Sequence, residues 1–276
     1  MRREIADKLI SYAKENETIE SIFYIRNDNY DSFNKAFVIL NEIIIAKLED
    51  ELVGLFDDVI LLNRTKEERN IDKEKISYTN INIYKSDNTK LTVSVISADN
   101  ADQFLNALPS DIEFIYNRPG FERLNPNPNF RYDQIKEYEF VSTIRNFFAK
   151  ALEVSFYINE KDELAASLKM DDLREDLLSM LNFYVEDKYS YTMNMGIDGQ
   201  RLKKTLEIDY KEDFLYTFPH DDFMDIYDSL FKACGLFRRI GLDLSGKFGF
   251  AYPREIDVNT LKVLRANYKK LESFLS

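Results

Sequence analysis

The carboxylates are where this chain's types and spacing could do chemistry. It carries 49 Asp and Glu against 37 Lys and Arg, a net charge of −12. A magnesium ion takes oxygen ligands, carboxylates above all. Two carboxylates two residues apart in a strand lie on one face and can share an ion. Asp57-Asp58 does not meet that condition, because adjacent strand residues point to opposite faces. Asp28 and Asp31 lie between two strand signals and Asp87 at a hairpin tip, and all three read as solvated loop or cap residues. His220, in Phe218-Pro219-His220-Asp221-Asp222, has no second histidine to complete a metal site and reads as a loop residue. The single cysteine, Cys234, excludes an internal disulfide. It sits in the apolar helical pattern of residues 229–237 and reads as a small buried hydrophobe, not a nucleophile.

The acidic balance argues against nucleic-acid binding, which needs a basic face. It suits a cationic small molecule or a basic partner, and it also serves solubility. With 276 residues and 45% hydrophobic content, the chain has material for one large domain or two ordinary ones. Only 8 Gly and 6 Pro point to long regular elements with few tight turns. No apolar run approaches the roughly 18 residues that span a bilayer, and none resembles a signal-peptide core. A cytoplasmic protein without membrane contact is expected.

The elements that must position any site fall into two halves. Ile5, Leu9, Ile10 and Ala13 form a helical stripe over residues 3–15, and residues 42–56 read as a second helix. Strands are expected at 22–25, 36–40 and 59–62, and at 78–84 and 90–96 around the turn signal Ser86-Asp87-Asn88. Thr92 and Ser94 alternate with Val93 and Val95, which predicts one half-solvated face. Asp99 is expected to cap a short helix through Leu108. The Asn-, Pro- and Gly-rich stretch 117–130 reads as a linker, giving domains 1–130 and 131–276. Beyond it the periodicity is helical: from 131 past 156, then 171–185, 221–239 and 257–274, a bundle pattern.

Several segments of the second half carry a resemblance. Glu137-Tyr138-Glu139-Phe140-Val141-Ser142-Thr143 and Lys188-Tyr189-Ser190-Tyr191-Thr192-Met193 are two of them. Gly199-Gln200-Arg201-Leu202-Lys203-Lys204, Ser229-Leu230-Phe231 followed by Leu236-Phe237-Arg238-Arg239, and Ala251-Tyr252-Pro253 are the others. In order and spacing they resemble the bacterial streptomycin (aminoglycoside 6-) adenylyltransferase family, of which the chain looks like a divergent member. The resemblance implies an α+β fold: a nucleotidyltransferase-like mixed sheet with helices, followed by an all-helical bundle domain. The activity it implies is transfer of AMP from Mg-ATP to a drug hydroxyl.

Such transfer needs metal ions to neutralise the triphosphate and to place nucleophile and leaving group. The family supplies Gly-Ser, then Asp-x-Asp entering one strand, then a third Asp on a neighbouring strand. Laid along that plan, Gly-Ser falls at Arg26-Asn27, Asp-x-Asp at Asn34 and Ala36, and the third Asp at Thr92. No catalytic or metal residue is intact, so neither metal nor nucleotide is expected as a cofactor. The family plan leaves Glu137 and Tyr191 as substrate-binding positions at an interdomain cleft, and Lys203 and Lys204 as cofactor-binding ones, although both lysines also read as a solvated basic turn. The leading expectation is a chain that has lost transfer and retains ligand binding. An active enzyme using Mg-ATP through other carboxylates, such as Asp31 or Asp58, and a purely structural or interaction protein stay open.

Overall fold

The computed structural model describes residues 1–26, 33–42, 45–71, 74–108, 111–120, 129–196, 199, 201–219 and 222–275. The chain divides into two compact units, Met1–Phe130 and Arg131–Ser276.

Unit 1 is built on a six-stranded mixed sheet. Its strands are β1 (Ile19–Ile25), β2 (Phe33–Leu40), β3 (Val59–Ile71), β4 (Glu74–Lys85), β5 (Lys90–Ser97) and β6 (Ile112–Asn117), in the order β3-β4-β5-β2-β1-β6. β2 and β5 are parallel; the other neighbours are antiparallel. Helices α1 (Arg3–Glu15) and α2 (Ile45–Leu55) lie on one face, where Ile5, Leu9, Leu48 and Leu52 pack with Ala36, Val38, Leu91 and Val93. The short α3 (Ala101–Asn106) lies on the other, packing Phe104 and Leu105 against Phe23, Phe37, Ile39 and Ile96. A strand buried on both faces reads as a continuous apolar run, which is why residues 36–40 show no alternation.

Four expectations for this half change. β3 and β4 form a hairpin much longer than 59–62 and 78–84. Residues 63–68 are polar or charged, so no apolar alternation signals them; the backbone ladder from Leu62–Ile83 to Ile71–Glu74 carries the pairing. β6, unheralded in sequence, closes the sheet edge beside β1. The cap near residue 99 is Ser97, whose Oγ accepts the Asp99 N–H at 3.4 Å. Finally, the Thr92–Ser94 face is not half-solvated at Ser94, which is fully buried.

Unit 2 is helical: α4 (Glu137–Asn159), α5 (Glu163–Lys188), α6 (Leu202–Thr205), α7 (Ile208–Leu215), α8 (Phe223–Phe248) and α9 (Arg254–Leu275). α4 starts at 137, not 131, because Lys136 is extended and its N–H is taken by the Glu139 carboxylate at 3.2 Å. α5 starts earlier than residue 171, capped by Asp162 accepting from the Ala165 N–H at 2.9 Å. Asp222 caps α8 in the same way through Asp225. Phe147 stacks on Phe237 at 3.8 Å between ring centroids, with Phe148 edge-on to both. Two buried hydroxyls of this core are paired: Ser155 Oγ lies 2.7 Å from the Tyr227 hydroxyl and accepts from Asn267 Nδ2 at 2.9 Å. Among the described residues no helix is long and apolar enough to cross a membrane.

Removing a fully buried aromatic leaves a cavity that close-packed neighbours fill only in part. Phe237→Ala is therefore expected to destabilise unit 2 by about 3–5 kcal/mol, measured as a lowered urea midpoint of the helical circular-dichroism signal.

Candidate functional site

Where the family's metal-binding positions fall in unit 1 is decided by one register. In the parallel β2–β5 pair, Lys35 stands opposite Thr92, while Asn34 stands opposite Leu91 and Ala36 opposite Val93. Opposed residues of paired strands share a face. Thr92 therefore shares its face with Phe33 and Lys35, and Asn34 and Ala36 turn to the other side. That side is interior: Ala36 is fully buried in the core under α1 and α2, and the buried Asn34 Oδ1 accepts the Arg2 N–H at 2.8 Å. Laid along the family plan, Asn34, Ala36 and Thr92 would share one site; the register separates Thr92 from the other two, because a one-residue slip moves a strand's whole set of side chains across the sheet.

Anchored on Thr92, the row across the sheet reads Lys35, Thr92, Asn82, Asn63. Its groups bond to one another. Thr92 Oγ1 donates to Asn82 Oδ1 at 2.8 Å, and Asn82 Nδ2 donates to the Asn63 carbonyl at 3.4 Å. One step along the sheet, Ser94 Oγ donates to Asn80 Oδ1 at 2.6 Å. Asn80 and Tyr78 then both donate to the Glu67 carboxylate. Lys35 Nζ lies 5.1 Å from the centroid of the Phe37 ring. An ammonium, a hydroxyl and amides thus occupy the row nearest Thr92, and the Glu67 carboxylate farther along this face is tied into the ladder. The donor set does not fit magnesium, which needs anionic oxygen. Among the described residues no group of three or more His, Cys, Asp or Glu is placed to hold a metal ion.

Arg26 and Asp57, the other charged candidates that the structure describes with partners in unit 1, are engaged elsewhere. Arg26 Nε donates to Glu113 at 3.0 Å, an ion pair across the β1–β6 edge. A hydrogen bond from Tyr24 and that arginine hold the Glu113 carboxyl below its usual range. Asp57 pairs with Lys8 at 3.0 Å. Asp58 has a left-handed backbone, φ 60°, at the entry to β3, and its carbonyl accepts the Ser86 N–H. Asn27, Asp28, Asp31 and His220 lie outside the described residues.

In unit 2 the motif residues are largely packing devices. Glu137 sits exposed in the first turn of α4, and its Oε1 accepts the Ala251 N–H at 2.9 Å, fastening α4 to the segment between α8 and α9. Two motifs distant in sequence are thereby joined. A third is fastened nearby: Asp257 accepts from Arg238 Nε at 2.7 Å and from the Tyr252 hydroxyl at 3.3 Å. Gly241 admits the Tyr252 ring, whose Cε2 would lie 3.1 Å from a Cβ placed there. Lys203 and Lys204 are exposed on the four-residue α6. Cys234 is buried, and burial pushes its thiol up to about 12, which leaves it protonated and inert.

One cluster in unit 2 has a different character. At the C-terminus of α5 the chain turns through two consecutive left-handed residues, Ser190 (φ 51°) and Tyr191 (φ 61°), a costly geometry for residues with side chains. The Tyr191 N–H donates to the Glu186 carbonyl and the Tyr191 carbonyl accepts from Tyr132, both at 2.7 Å. Among the described residues the buried Tyr191 hydroxyl has no hydrogen-bond partner. Burial raises its pKa, and the Asp187 and Glu186 charges add to that. Glu186 is buried, accepting from Asn182 Nδ2 at 2.8 Å, and its carboxyl is raised by burial and secondarily by Asp133. Tyr191 was legible as a candidate. Glu186 was not, because a glutamate between Val185 and Asp187 near a helix end looks like any surface charge.

Residues 1–266 match the family described as streptomycin adenylyltransferase. The chain is 20% identical over 263 residues to the aminoglycoside 6-adenylyltransferase of Bacillus subtilis (strain 168), covering 91% of this chain and 92% of that protein. It is also similar to the crystal structure of an aminoglycoside 6-adenyltransferase from Bacillus subtilis, with a TM-score of 0.51 at 18% identity over 97% of this chain and 99% of the other. At that identity the structural likeness speaks for the fold.

Glu186 supplies a test of the buried cluster. A carboxyl raised in the folded state binds protons there at pH values where the unfolded chain has released them, so stability falls as pH rises through that window. Glu186→Gln keeps an acceptor for Asn182 and removes the buried charge. A higher thermal midpoint than the parent's is expected at pH 7, with the difference closing below about pH 4, under the unfolded glutamate value. Thermal melts at the two pH values check this, and a lower midpoint at pH 7 would show that the carboxylate is stabilised instead.

Proposed function

We propose that this chain, which belongs to the streptomycin adenylyltransferase family, has lost metal-dependent nucleotidyl transfer and works by binding a cationic small molecule. The observation that carries the first half is the register placing Lys35 beside Thr92. Both ways of laying the family's carboxylates on this sheet leave them absent: Asn34, Ala36 and Thr92 by sequence, or Phe33, Lys35 and Thr92 by shared face. Phosphoryl transfer is mostly positioning and charge neutralisation, with metal ions supplying the larger part. A lysine can attract a phosphate but cannot bridge the attacking and leaving oxygens as paired metals do.

The second half rests on the cluster around Tyr191. The hydroxyl, without a hydrogen-bond partner among the described residues, the buried Glu186 and the nearby Asp133 form an electronegative setting suited to ammonium or guanidinium groups, while Asp187 is already paired with Lys247. Aminoglycosides are such polycations, and the Bacillus subtilis relative is named for acting on them. The chain's net charge of −12 would draw such a ligand in at low salt.

The deciding experiment is titration calorimetry with streptomycin and with ATP, each with and without magnesium, beside an assay for AMP transfer. Expected are streptomycin heat that survives EDTA and no transfer product. Mg²⁺-dependent ATP binding with transfer would return the chain to the enzymes, and silence with every ligand would leave an interaction protein. Tyr191→Phe should weaken streptomycin about tenfold, the worth of one hydrogen bond to a charged group, with no loss of stability, since the hydroxyl has no internal partner to forfeit.

A further inference from the structure

We propose that the groove between α8 and α9 is a second binding site, for a small amphipathic anion: an aromatic or short acyl body carrying a carboxylate, phosphate or sulfonate. This site is separate from the reading above and does not rest on it. The groove encloses about 470 Å³, within the range of small-molecule sites. Its floor is apolar. Cys234 and Leu261 are buried, and Phe231 and Tyr268 meet edge to face at 5.6 Å. Its rim is cationic: Arg238 from α8, and Arg265 and Lys269 from α9, against one acid, Glu272.

The charge distribution is what names the ligand. The whole chain is strongly acidic, yet three cations and one carboxylate line this groove. Arg238 is answered by Asp257 at 2.7 Å. Arg265 and Lys269 are four residues apart, so they project from one side of α9, and among the described residues neither makes an ion pair. Long basic side chains can lie along apolar surface with their charge in water. Here their stems would wall the groove and their charges would meet an anion at its mouth. The thiol on the floor, pushed up to about 12 by burial, adds no opposing charge.

Gly235 supports the same assignment. It lies inside α8, where glycine is less favourable than alanine. A Cβ at this position would meet nothing within 4 Å, so no neighbour in the helix packing requires its absence. The space it leaves opens into the groove that it helps to line. A larger side chain at 235 would therefore fill the groove while improving the helix.

The test is fluorescence titration of the full chain with 1-anilinonaphthalene-8-sulfonate, with decanoate as competitor. Saturable one-to-one binding that decanoate displaces is expected. Arg265→Glu with Lys269→Glu should weaken it at least about tenfold. Lys262→Glu with Lys270→Glu makes the same change of net charge at exposed positions of α9 outside the groove, and should leave the affinity within about twofold. Gly235→Leu should abolish binding while holding or raising the thermal midpoint. Unsaturable binding, equal losses from the two charge reversals, undiminished binding by Gly235→Leu, or equally tight binding of uncharged 1-anilinonaphthalene would each overturn the proposal. The surface charge reversals decide the matter even if Gly235→Leu folds poorly.

Discussion

The parallel pairing of β2 with β5 fixes what unit 1 can do. It is the sheet's one parallel pair, set between antiparallel neighbours, and its register puts Lys35, Thr92, Asn82 and Asn63 in one row. Both strands are covered by core on each face over part of their length, so neither can slide without exposing one apolar set and burying polar groups in its place. In the polar row Thr92 donates to Asn82, and Asn82 donates to the Asn63 carbonyl. Buried hydroxyls and amides are costly when unpaired and nearly neutral when paired. A set of three carboxylates on the same row would need cations to offset their mutual repulsion. Thr92 and Asn82 instead satisfy part of each other's hydrogen-bonding capacity.

Unit 2 is organised by packing between helices, and its family motifs serve that packing. Glu137 reaches Ala251, Arg238 and Tyr252 converge on Asp257, and Phe237 stacks on Phe147. These contacts join segments up to more than a hundred residues apart in the chain. Resemblance in such residues tracks the fold, since each is held by a partner elsewhere in the unit. A family match over residues 1–266 therefore speaks for the shared fold, while chemistry is decided by the particular side chains of a site.

The two polar settings of unit 2 differ in sign and in kind. Around Tyr191 a buried carboxylate and a hydroxyl without a partner among the described residues sit beside a strained turn, a combination more costly than packing alone would select. Between α8 and α9 the apolar floor and cationic rim have the opposite polarity. A protein with this net charge has abundant acidic surface, so local cationic character needs specific placement of residues from two helices.

Much of the architecture was written in local pattern. The helical stripe of Ile5, Leu9 and Ala13, the hairpin at Asp87 and the α8 and α9 periodicities are short-range signals, and the folded chain obeys them. The absence of Gly-Ser from the first 130 residues, and the motifs that carry the family likeness, were equally plain in sequence. Tertiary structure alone decided the phase of β2. A strand buried on both faces has no alternation to reveal which residues face which way, so Asn34 and Ala36 could not be told from Phe33 and Lys35 until β5 lay beside them. It alone decided the β3–β4 extension, held by backbone bonds that any side chain permits. It alone made Glu186 a buried charge and Gly235 an open place in a groove, because burial depends on neighbours distant in the chain. Period and composition are properties of neighbours in sequence; facing, burial and partnership are properties of neighbours in space.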